Sequence, residues 1–65
     1  MAVQEVGQWI REIRYTYNLT QEWLAECLDV HVRTVQRWEA GGMLPRARML
    51  RRLEKMERKL SQIMP

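Results

Sequence analysis

Arg33, Gln36 and Arg37 are spaced so that a helix gathers them on one face and turns Val35 and Trp38 to the opposite one. Guanidinium and carboxamide groups are suited to meeting a phosphate or the hydrogen-bonding edge of a base. The segment that carries them, His31 to Glu39, is oddly composed for a helix. Val32, Thr34 and Val35 are β-branched and weak helix formers. Arg33 falls near the positive end of the helix dipole, and Arg37 repeats the charge one turn later. Each of these choices costs roughly a few tenths of a kcal/mol. A helix selected only for folding would carry acids in that first turn. An outside anion meeting the arginines accounts for the cost, so this helix is expected to read nucleic acid.

Other chemistries find little in the chain. His31 is the one histidine and Cys27 the one cysteine, so a metal site or acid–base pair lacks companions. Neither an intramolecular disulfide nor a cysteine cluster for zinc can form. Cys27 is expected to be a small, partly buried apolar residue, because no basic neighbour in sequence favours its thiolate. His31 is expected to be a weak helix cap or a phosphate contact. The residues contain no nucleophile–base pair, phosphate loop or paired carboxylates, and the chain is read as non-enzymatic, with no cofactor. No apolar run reaches the roughly 20 residues needed to span a bilayer. Met1 to Glu5 lack the basic and apolar regions of a signal peptide, and a reducing cytoplasm is the expected location.

Charge divides the chain. Residues 1–45 hold four Lys/Arg against six Asp/Glu, or −2, and residues 46–65 hold seven against two, or +5. The basic C-terminal part is either a source of nonspecific phosphate attraction or a solvated helix face.

The elements that must position the arginines follow from periodicity. Val3, Val6, Ile10, Ile13 and Tyr17 mark an amphipathic helix over about 3–17, with Trp9 beside the stripe and Tyr15 outside it. Asn18 suits a left-handed helix ending. Thr20 caps a second helix from Gln21 to about Leu28, in which Leu24 and Leu28 face inward and Ala25 permits a close crossing. Asp29-Val30 make a short turn into the arginine-bearing helix, and Gly41-Gly42 stop it. Pro45 suits the first position of a last helix running to about 63. Nothing in the pattern reads as a strand. The whole of 1–65 is expected to be one small domain.

Leu19-Thr20-Gln21-Glu22-Trp23-Leu24-Ala25-Glu26-Cys27-Leu28-Asp29-Val30, followed by Thr34-Val35-Gln36-Arg37-Trp38-Glu39-Ala40-Gly41, resembles the helix-turn-helix of the phage repressor and Cro (Xre-like) family. Leu44-Pro45 matches it as well, and the likeness covers roughly residues 6–55. It implies an all-α, lambda-repressor-like bundle of four or five helices, with the motif at about 20–40 and the third helix in the major groove of double-stranded DNA. Carried over by position, Val32, Arg33, Gln36 and Arg37 read bases and Thr34 lies near the DNA. Gln21 touches a phosphate and braces the reading helix. Arg14 and Glu39 form an internal ion pair, while Leu50 and Leu53 pack on the core. Three positions depart from the pattern. Asp29 stands at the turn where the family has Gly, His31 where it has Ser or Thr, and Trp23 where it has a polar surface residue.

The function implied is a sequence-specific transcriptional regulator, a repressor in its simplest form. The rival is a protein-interaction module of antitoxin or antirepressor type, using Trp9, Trp23 and the C-terminal helix. That helix, over about 45–63, spaces Met49, Leu53, Met56, Leu60 and Ile63 as a heptad seam, with Met64 extending the stripe. It must either fold back on the first helix, against Trp9, or pair with a second copy. Homodimerisation through Met56, Leu60 and Ile63 is the expectation, and insertion into a membrane is not.

Overall fold

Three left-handed residues set the directions of the first three helices. In the computed structural model, which describes residues 2–63, these are α1 (Val3–Thr16), α2 (Gln21–Leu28) and α3 (Val32–Glu39). They are followed by Asn18 at φ 56°, Asp29 at φ 57° and Gly41 at φ 78° respectively. Each left-handed residue turns the next amide back onto the helix just finished. Leu19 N–H donates to Arg14 O at 2.7 Å, Val30 N–H to Ala25 O at 3.0 Å, and Gly42 N–H to Arg37 O at 3.0 Å. These are Schellman closures, which satisfy carbonyls that a helix end otherwise leaves without donors. Asn and Asp tolerate this backbone better than other residues with a Cβ, which is why Asp29 serves where the family pattern has Gly.

The helix starts are equally local. Thr20 Oγ1 accepts from Trp23 N–H at 2.9 Å, the expected cap of α2. His31 caps α3 through its ring, Nδ1 accepting from Arg33 N–H at 3.0 Å. The last helix, α4 (Ala47–Ile63), begins two residues later than expected. Pro45 is buried ahead of it, and Arg46 supplies the carbonyl that Leu50 N–H meets at 2.9 Å. No strand occurs among the described residues.

One apolar core joins all four helices. Val6 and Ile10 of α1, Leu24 of α2, Val35 of α3 and Leu53 of α4 are fully buried, with Trp38 nearly so. Gly7 lets α1 approach the end of α3. A Cβ there would run into the carbonyl oxygen of Trp38 and lie 2.9 Å from that of Glu39. No helix among the described residues is long and apolar enough to cross a membrane.

The C-terminal seam is largely spent inside the chain, contrary to the expected homodimer contact. Leu60 is buried, Met56 is half-buried against the core, and of the three only Ile63 is exposed, at 75%. Met64 lies outside the described residues. The physical reason is an apolar edge left open by α1 and α2, which the second half of α4 covers. Trp9 Nε1–H donates to Glu57 Oε2 at 3.2 Å, and Leu60 lines one hollow with Tyr17, Leu19 and Trp23. Cys27 also differs from expectation, since it is exposed rather than partly buried.

Candidate nucleic-acid interface

The outward face of α3 carries Arg33, Gln36 and Arg37, all three exposed as expected. Neither arginine side chain has a hydrogen-bond or ion-pair partner among the described residues, so both guanidinium groups are available to an outside anion. Thr34 is half-buried on the flank. Val32 is half-buried and packed against the core. The dipole argument holds for Arg33, in a first turn that contains no acid. It does not hold for Arg37. In a helix of 8 residues Arg37 belongs to the last turn, where the negative end of the dipole favours a cation.

What holds this face still is a line of polar contacts behind it. Arg14 of α1 reaches Glu39 at the end of α3, Nε to Oε2 at 2.6 Å and Nη2 to Oε1 at 2.7 Å. Arg14 Nη1–H also donates to Leu19 O at 3.2 Å, so the residue whose carbonyl closes α1 fixes the start of the next segment with its side chain. The hydrogen bonds to Glu39 hold the Arg14 guanidinium above its usual pKa, against the partial burial that would lower it. Arg11 Nη1–H donates to the Glu39 carbonyl oxygen. The expected internal ion pair is therefore present, and it is forked.

Gln21 continues the line toward the surface. Its Nε2–H donates to Glu39 Oε1 at 3.3 Å, and its Oε1 accepts from Gln36 Nε2–H at 3.4 Å. The first residue of α2 thus ties the buried carboxylate to an exposed side chain on the outward face. The implied bracing role of Gln21 has a geometric counterpart here. That its partner is Gln36 was not readable from spacing within either helix, because the two residues belong to different elements.

Three cations escaped the sequence reading as neighbours of α3. Arg46, Arg48 and Arg52 share a cleft with Thr34 and Trp38. The basic excess after residue 45 was visible, but its placement beside α3 depends on how the Gly41–Pro45 connection turns. Desolvation and the Glu26 carboxylate push the Cys27 thiol up, which disfavours the thiolate. No group of His, Cys, Asp and Glu suited to a metal ion is found among the described residues.

A helix-turn-helix family model matches residues 10–56, which contain the end of α1, all of α2 and α3, and the first half of α4. Neither a curated protein nor a solved structure matches the chain. With the motif, the forked Arg14–Glu39 pair and the exposed α3 face in place, the chain belongs to the Cro/C1-type, Xre-like helix-turn-helix family of DNA-binding regulators.

Proposed function

We propose that the protein is a sequence-specific repressor of transcription in the cytoplasm that lays α3 in the major groove of duplex DNA. Arg33, Gln36 and Arg37 read base edges, with Thr34 and Val32 at the margin and Gln21 on a phosphate. The observation that carries this reading is the pairing of two unpartnered arginines on the outward face of α3 with a rear face locked by Val35, Trp38 and the Arg14–Glu39 fork. A rigid helix with free guanidinium groups is what bidentate recognition of guanine requires, at about 1–3 kcal/mol of discrimination per contact.

Two copies on a two-fold site would set their reading helices about 34 Å apart and double the phosphate contacts. With Met56 and Leu60 committed to their own chain, the support for pairing is the apolar surface left over: Trp23, 39% exposed, and Ile63 one turn beyond Leu60. Selection of duplexes from a random pool by the purified protein tests both parts. Enrichment of a two-fold symmetric sequence is expected. Failure to enrich any sequence, at a salt concentration where random duplex still binds, would overturn base reading.

A further inference from the structure

Between α3 and the start of α4 lies a cleft of about 450 Å³. Its deeper wall is apolar, formed by buried Trp38 and Pro45 with half-buried Met49. Met43 and Leu44, 39% and 42% exposed, form the lip. Three exposed arginines, Arg46, Arg48 and Arg52, complete the lining, and no carboxylate contributes to it among the described residues. Arg52 is partly engaged, donating to Leu28 O at 3.5 Å; the first turn of α4 holds no acid to balance the others. Trp38, which contributes to the deeper wall, keeps its Nε1–H buried with no hydrogen-bond partner among the described residues.

The cations alone would suit a phosphodiester backbone. The apolar wall and lip would not, because a sugar-phosphate backbone carries only small C–H faces and no bulky hydrocarbon to fill them. An anion that also carries bulky hydrocarbon fits both halves of the cleft. We propose that the cleft is a docking site for an acidic segment of a partner protein. A large aliphatic side chain enters between Leu44 and Met49, and flanking carboxylates meet Arg46 and Arg48. Because Thr34 of α3 belongs to the same cleft, a segment seated there excludes DNA from the reading face. That last clause rests on the function proposed above; the docking itself does not.

The test uses the full chain labelled with ¹⁵N and a synthetic acidic peptide rich in Leu, Asp and Glu. The three indole N–H resonances are assigned with Trp9→Phe and Trp23→Phe, leaving Trp38. Saturable movement of the Trp38 resonance is expected, with little change at Trp9. Arg48→Glu and Leu44→Ser, both at exposed sites and both checked for unchanged melting, should each weaken binding by about tenfold. A control peptide with Ser in place of Leu should not saturate. No saturable movement, or equal binding of the Ser control, would overturn the docking site. Docking that leaves binding to a selected duplex undisturbed would overturn the exclusion of DNA, while loss of all DNA binding by the protein would leave the peptide result standing on its own.

Discussion

Arg14 and Glu39 meet through two hydrogen bonds at 2.6 and 2.7 Å, with side chains only 12% and 5% exposed. They stand 25 residues apart and join the end of α1 to the end of α3. Taking two charges out of water is costly, and the fork offsets that cost only while both partners are present. Arg14→Met and Glu39→Met should therefore each destabilise by about 3–5 kcal/mol, since each strands a buried charge. The double replacement should recover much of the loss. Denaturant unfolding of the four proteins in the cycle measures this, and additive effects would show that the two groups act independently.

Gly7 gives a prediction of opposite sign to helix propensity. Ala for Gly in a helix interior is worth about 1 kcal/mol on propensity alone. At this position the new methyl group meets the backbone of Trp38 and Glu39, which cannot rotate away as a side chain can. Overpacking of this kind costs about 1–3 kcal/mol. Gly7→Ala should lower the melting temperature, whereas an unchanged or raised value would show that α1 and α3 are not in close approach.

The fold-back of α4 separates two residues of one stripe. Leu60→Ala should cost about 2 kcal/mol, the low end for a leucine at the edge of a core, while Ile63→Ala should stay within about 0.5 kcal/mol. The Leu60 value should be independent of protein concentration, because Leu60 is buried within its own chain. Equal losses at the two positions would return the seam to a contact between copies.

Much of the fold was legible because its signals are local. The Val6, Ile10 and Ile13 stripe, the Thr20 cap, and the left-handed residues Asn18, Asp29 and Gly41 all act within a few positions of where they stand. The outward placement of Arg33, Gln36 and Arg37 was legible for the same reason. The features that escaped depend on what one element meets on another. Gly7 inside a helix reads only as a propensity penalty until the α3 backbone is set against it. The spacing of Met56, Leu60 and Ile63 gives an apolar stripe but does not say which surface covers it. Gln21 and Gln36 look independent until the turn at Asp29 brings α2 across α3. Whether Arg37 meets the positive or the negative end of the dipole depends on where α3 stops, and at 8 residues it falls in the last turn.

The central claim is that Arg33 and Arg37 read bases from a helix whose stability depends on neither beyond about 0.5 kcal/mol. The most direct measurement is binding of Arg33→Ala and Arg37→Ala to a selected duplex and to that duplex changed one base pair at a time, with melting of each variant followed alongside. Each variant is expected to lose about 1–3 kcal/mol of specific affinity and to become indifferent at one base pair. Arg33→Ala should melt no lower than the parent protein, since a cation leaves the positive end of α3, and Arg37→Ala should melt within about 0.5 kcal/mol of it. Variants that keep their full discrimination at every base pair, or that unfold, would contradict the assignment of this face.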